Sequence, residues 1–286
     1  MLKSLQKAFK VKEVRDRLLY TFMMLVVIRI GCCLPIPGVD PSYLHDFFSN
    51  LQSSGMGFFN AITGGSFSSM SIFALSITPY ITSSIIMQLL TIAIPKLEEM
   101  QKDGEDGRKK IAEYTRYLTV GLALFESCAM AVGLGGKGLL LEDHRNVWGY
   151  LTVVAAMTAG SALLMWIGER ITDNGVGNGI SIVLLINIVS GTPQDMMTLY
   201  ERFMAGKSVA VATVACIIVL AIIIAIFVFV IILNDAERRI PVQYSKKMQG
   251  RRMIGGQSTY IPLKVNTANV IPVIFASSIM SMPVMI

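Results

Sequence analysis

FFNAITGGSFSSMS, residues 58–71, starts like a piece of membrane helix and fails to become one. Phe58, Phe59 and Ile62 supply the apolar start. Gly64 and Gly65 then break it, and four serines follow among apolar residues. The stretch is too short to span a bilayer and too apolar for a comfortable solvent loop. Non-spanning backbone survives at membrane depth only where it is surrounded by protein or lines a wet cavity. The segment is therefore expected to lodge among helices rather than in lipid.

The composition around it supports a membrane setting. Of 286 residues, 53% are apolar and 15% charged, and the mean hydropathy is +0.59. A helix needs roughly 20 apolar residues to cross a hydrocarbon core about 30 Å thick. Seven segments approach that length, at 18–36, 72–94, 117–134, 147–168, 175–191, 208–233 and 265–286. The chain reads as an all-α, polytopic membrane protein. Its first span is too long for the apolar core of a signal peptide, and no small-x-small cleavage site follows Pro35 and Pro37. The basic residues 1–17 before it, with Leu2, Leu5 and Phe9 among lysines, suit an amphipathic segment on an anionic membrane surface.

Cationic residues sort by loop. With the N-terminus in the cytoplasm, twenty Lys and Arg fall on the cytoplasmic side and four on the other. That asymmetry sets the orientation. It places 58–71 on the extracytoplasmic side, between spans one and two.

Few charges lie within the spans. Arg29 sits in the outer third of the first, where it is expected to snorkel or pair with a buried carbonyl. Glu126 is the one acid, midway along the third, and is expected to face a helix seam or a wet cavity. A proton relay would want a second intramembrane acid or histidine, and the spans supply none. Span two carries Ile77, Ile81 and Ile85 on one stripe and Ser76, Thr78, Thr82, Ser83, Ser84 and Gln88 around the rest. Pro79 is expected to kink it.

Several chemistries are disfavoured. Cys32, Cys33, Cys128 and Cys216 all lie in apolar spans, which suggests neither a disulfide framework nor a metal site. His45 and His144 stand apart without ligand partners. TDNGVGNGIS (172–181) lacks the Lys-Ser/Thr of a phosphate loop and suits a tight turn between antiparallel spans. The spans contain no Ser/His pair, HExxH or aspartate pair, so an enzyme is not expected. No cofactor is expected either. The loop 234–264 alternates apolar and polar residues around Lys246–Arg252, and reads as a two-stranded finger with a basic tip suited to phosphate backbones such as RNA.

These stretches together resemble the SecY family of protein-conducting channels. The likeness runs through RIGCCLPIPGVD (29–40), SIFALSITPYITSSIIMQLL (71–90), DGRKKIAEYTRYLT (106–119), MWIGERITDNGVGNGISI (165–182), QGRRMIGGQSTYIPLKVN (249–266) and VIPVIFASSIM (270–280). It implies a helical bundle of ten spans in two pseudo-symmetric halves, of which this chain carries about seven. The first half would cover 18–191, and 208–286 would begin the second. On its own such a chain is not expected to close a pore. The resemblance implies a constriction ring of Ile77, Ile81, Ile180, Leu184 and Ile274, with Leu184 replacing a frequent isoleucine at similar volume. It implies a re-entrant plug half-helix over 56–69, with Phe58, Phe59 and Ile62 on the constriction, Thr63 close to it and Gly64 and Gly65 as hinge. A lateral gate would involve Thr82, Ser83 and Glu126.

The same resemblance implies translocation of unfolded secretory polypeptides, and insertion of membrane proteins, at the bacterial cytoplasmic membrane. Implied partners are SecE and SecG subunits, the SecA motor, the ribosome, signal sequences, nascent chains and lipids. Docking would fall to Arg251, Arg252, Lys246 and Lys247, assisted by Lys109 and Lys110. A secondary transporter of small solutes is the competing reading, since such folds also use broken helices and polar span faces. The spans hold no evident ion-coupling cluster to support it.

Overall fold

A computed structural model of the chain describes residues 10–39, 60, 62–135, 140–141, 145–206, 208–242, 247–249, 252–254, 259–267, 272–273 and 275–276. Among them the helices are α1 Lys12–Cys33, α2 Thr78–Ala93, α3 Pro95–Lys102, α4 Glu105–Leu134, α5 Val147–Asn174, α6 Gly179–Phe203 and α7 Val209–Asp235. Four short strands follow α7: β1 Glu237–Val242, β2 Lys247–Gln249, β3 Arg252–Ile254 and β4 Thr259–Lys264. The architecture is a helical membrane bundle carrying one β ribbon.

By length and composition, α5, α6 and α7 can each cross a bilayer, and α2 with α3 qualify as a pair bent by 103°. In α1 and α4 charge dilutes the apolar run, Arg29 and Glu126 included. The expected seventh span lies almost wholly outside the described residues.

Two expectations for span two are corrected. Its helix starts at Thr78, and residues 72–77 form turns instead. The backbone there is committed elsewhere: Ser71 bridges Pro35, Ile36 N–H donates to Met70 O at 3.0 Å, and Ile72 N–H donates to Leu34 O at 3.0 Å. Pro79 also makes no kink. It occupies the first turn of α2, where its missing N–H would have had no helical partner. The bend falls at Pro95 instead. Ile94 before it is extended, as the residue preceding a proline prefers, and Pro95 opens α3 in a new direction.

The chain divides into two compact units, 1–193 with 274–286 and 194–273. The division falls beside Pro193, inside α6. In the first unit α4 packs against α5 and α2, and α1 against α5. One apolar cluster joins Phe67, Met70 and Leu75 to Met130, Val153 and Met157. A second joins Ile28, Phe73 and Ile77 to Leu164, Ile167 and Val183. The glycine-rich segment between α5 and α6 is a tight turn, with Gly177 at φ +72°. It is pinned to α1: Arg17 donates to Gly175 O at 3.4 Å, and Val176 N–H donates to Thr21 Oγ1 at 3.2 Å.

In the second unit α7 keeps Ile217, Ile218, Phe227 and Phe229 exposed, a surface made for lipid or protein. The strands pair antiparallel as β1 with β4 and β2 with β3. Glu237 faces Lys264, Val242 faces Thr259, and Gln249 faces Arg252. The segments 243–246 and 255–258 between the two ladders are of equal length, so both share one register. Arg239 stacks on Tyr260 at 4.8 Å, a diagonal cross-strand contact. Val265 N–H donates to Ala236 O at 3.0 Å, and bonded pairs alternate from there. Pro241, opposite Tyr260, and Pro262, opposite Arg239, therefore both fall at non-bonded pairs.

Candidate functional site

Ile77 and Ile81 reach the site from the start of α2, and Ile180 and Leu184 from the first two turns of α6. All four belong to, or pack on, the second apolar cluster with Phe73, Leu164 and Val183. Ile77 is buried, and the other three are half-buried. Their convergence depends on a close helix crossing. A Cβ at Gly168 of α5 would stand 3.5 Å from both Ile77 Cδ1 and Ile180 Cγ1. Gly179 lies against the carbonyl of Gly168, where any side chain would collide. Ile274, the fifth ring candidate, lies outside the described residues.

The opening segment is lodged in protein. Ile62 and Thr63 are helical and buried, and residues 64–70 continue as turns. Phe58 and Phe59 lie outside the described residues. Ile62 belongs to neither apolar cluster. The aromatic anchors are Phe67, in the first cluster, and Phe73, in the second. The serines mostly bond within the segment: Ser68 Oγ donates to Gly65 O at 2.9 Å, and Ser71 Oγ to Ser66 O at 3.2 Å.

Gly64 touches α6. Its φ is +66°, and a Cβ there would stand 2.6 Å from Asn187 O and 2.8 Å from Ser190 Oγ. Asn187 is wholly buried and donates from Nδ2 to Ser76 Oγ at 2.9 Å. Ser190 Oγ donates to Asn187 O at 2.7 Å and accepts from Arg29 Nη1 at 2.8 Å. Arg29, expected to snorkel or to pair with a buried carbonyl, thus meets a hydroxyl of α6. Sequence reading passed over Asn187 and Ser190. The available signal was an asparagine in the apolar run GISIVLLINIVSG, on the face of Ile180 and Leu184.

At the seam between α2 and α4, Thr82 and Ser83 are buried, but their hydroxyls turn back into α2. Thr82 Oγ1 donates to Thr78 O at 3.1 Å and Ser83 Oγ to Pro79 O at 2.7 Å. Glu126 is 5% exposed and has no hydrogen bond or ion pair among the described residues. Its neighbour Ser127 shares a 2.9 Å hydrogen bond with Thr158 of α5. At the other end of α4, Arg116 Nε donates to Glu169 Oε1 of α5 at 2.8 Å.

The docking candidates fall in two places. Lys109 and Lys110 are exposed near the start of α4. Lys247 and Arg252 belong to β2 and β3, while Lys246 and Arg251 lie outside the described residues. Among the described residues no group of His, Cys, Asp and Glu is arranged to hold a metal.

The SecY family model matches residues 71–286. The protein translocase subunit SecY of Streptomyces scabiei is 43% identical over 100% of this chain and 67% of its own length. That of Corynebacterium glutamicum is 44% identical over 98% and 64%, and that of Escherichia coli K12 is 43% identical over 95% and 61%. The chain thus spans about two thirds of these relatives. Among solved structures, a protein-conducting channel matches with a TM-score of 0.56 at 19% identity, covering 95% of this chain and 57% of that one. A SecY structure, described as showing that the plug domain stabilises the closed state and maintains a membrane seal, matches with a TM-score of 0.57 at 18% identity, over 95% and 57%.

Proposed function

The chain belongs to the SecY family, and on that footing we propose that the complete protein conducts unfolded secretory polypeptides across a bilayer and releases apolar segments sideways into it. One observation carries the reading. Four aliphatic side chains from two separate helices converge, and a non-spanning segment is lodged beside them. A ring of branched aliphatic side chains yields to a passing peptide, yet sheds water when empty and so resists ions. Ile77, Ile81, Ile180 and Leu184 form this chain's share of the ring, with Ile274 as a further member. Residues 56–69 act as the removable stopper.

The lateral gate opens between α2 and α4 on one side and the seventh and eighth spans of the complete protein on the other, with Thr82, Ser83 and Glu126 on the first side. Thr82 and Ser83 satisfy their hydroxyls within α2, and Glu126 has no hydrogen bond or ion pair among the described residues. An apolar signal sequence can part such a seam without breaking an ion pair. Arg251 and Arg252 of the loop 234–264, with Lys246 and Lys247, dock the ribosome through its RNA and the SecA motor, assisted by Lys109 and Lys110. SecE and SecG complete the assembly. The setting is the bacterial cytoplasmic membrane, with the N-terminus in the cytoplasm.

A photo-crosslinking residue at position 81 of the full-length protein tests the proposal. Stalled secretory chains are expected to label there. Saturable binding of small solutes, with no labelling by stalled chains, would favour the transporter reading.

A further inference from the structure

Buried polar atoms without partners are uncommon, as are non-glycine residues with positive φ. Among the described residues both gather around one segment. Among buried side-chain oxygens lacking a hydrogen bond, Thr78 Oγ1 belongs to the stretch 60–78, and Asn187 Oδ1 belongs to the side chain that grips it. Met70, at φ 41°, and Ser76, at φ 53°, lie in the same stretch. A backbone held against its local preference persists only where its surroundings over-determine it.

The gripping contacts come from α6 and reach both ends of the segment. At one end Asn187 Nδ2 donates to Ser76 Oγ at 2.9 Å. At the other, Gly64 sits against the Asn187 carbonyl oxygen and Ser190 Oγ. Ser190 is in turn held by Arg29 of α1 at 2.8 Å. Position matters as much as contact. Ser76 immediately precedes Ile77, and Asn187 follows Leu184 by three residues, roughly 4.5 Å along the helix. The Ser76–Asn187 bond therefore bridges the backbone next to two constriction residues from different helices.

We propose that Asn187 is the catch of the stopper: a positioning residue whose single bond to Ser76 keeps 62–77 in its lodged conformation, with Met70 and Ser76 at positive φ. When the bond breaks, Ser76 leaves its unfavourable φ, Ile77 shifts with it, and the Gly64 end loses its seat on α6. Opening of the constriction and departure of the stopper are then one event. This rests on the channel reading above.

The test uses the full-length protein with its partner subunits in lipid nanodiscs, read by amide hydrogen exchange. Asn187→Leu and Ser76→Ala are each expected to speed exchange over 62–77 by on the order of three- to tenfold, the range one neutral hydrogen bond supports. Peptides from α5 should keep their protection. The double variant should be no faster than the faster single one, because both remove the same bond. Unchanged exchange over 62–77, or single effects that multiply in the double variant, would overturn the proposal. Should Asn187→Leu loosen α5 as well, Ser76→Ala, a one-atom deletion, decides the matter alone. Ion leak through the empty assembly separates the two readings. Faster exchange without added leak keeps the catch and counts against the channel. Added leak without faster exchange removes the catch.

Discussion

At φ +66°, with the Asn187 carbonyl oxygen 2.6 Å from where a Cβ would stand, Gly64 meets two constraints at once. Its neighbour Gly65 meets one, since φ is +80° but nothing lies within 4 Å. Gly65→Ala is expected to cost about 1–2 kcal/mol for the left-handed backbone alone. Gly64→Ala should cost more, about 2–4 kcal/mol, once the displaced contact with α6 is included. Thiol labelling of a cysteine placed at position 63 checks the order, and equal labelling in the two variants would refute it. Ile81→Asn in the full-length protein is expected to loosen the ring and admit poor signal sequences, so stricter discrimination would contradict its place there. Ile77 and Ile81 stood out as one stripe of span two, whereas Ile180, Leu184 and Ile274 were named only through the family resemblance. Asn187 did not stand out, because an asparagine in an apolar run carries no mark of what it will meet. Its partner Ser76 lies 111 residues away.

The elements show where periodicity stops informing. The apolar run from Ile72 reads as one span, yet residues 70–72 at its start pair with 34–36 and only Thr78–Ala93 is helical. Long-range pairing overrode local propensity there, and no window of sequence contains both partners. Pro79 was read as a kink because its distance from the helix start was unknown. The finger fared better, since alternation and glycine positions are local signals. Tyr260→Ala should cost the ribbon about 0.5–1 kcal/mol through loss of the stacked Arg239. Amide exchange over β1 and β4 checks this, with no change as the contrary result. Replacing Arg251 and Arg252 together by Glu should weaken ribosome and motor binding and flatten its salt dependence, while membrane insertion is kept. Unchanged affinity at physiological salt would remove the ribbon from the docking surface.

At the scale of the molecule, both apolar clusters lie within residues 1–193, whereas α7 leaves its apolar side chains uncovered. Residues 1–193 alone in detergent are therefore expected to keep a cooperative thermal transition within a few degrees of the whole chain's. A lost or much lower transition would show that the first unit needs the second. Membrane class was legible because apolar runs are summed over long stretches. The edges of the ribbon carry a further consequence. Each strand has one open flank, and an open flank invites any extended peptide to zip on as a third strand. Pro241 and Pro262 stand where an N–H would have pointed outward, one on each flank. Both flanks are thereby blunted, and the exposed ribbon resists recruiting a third strand.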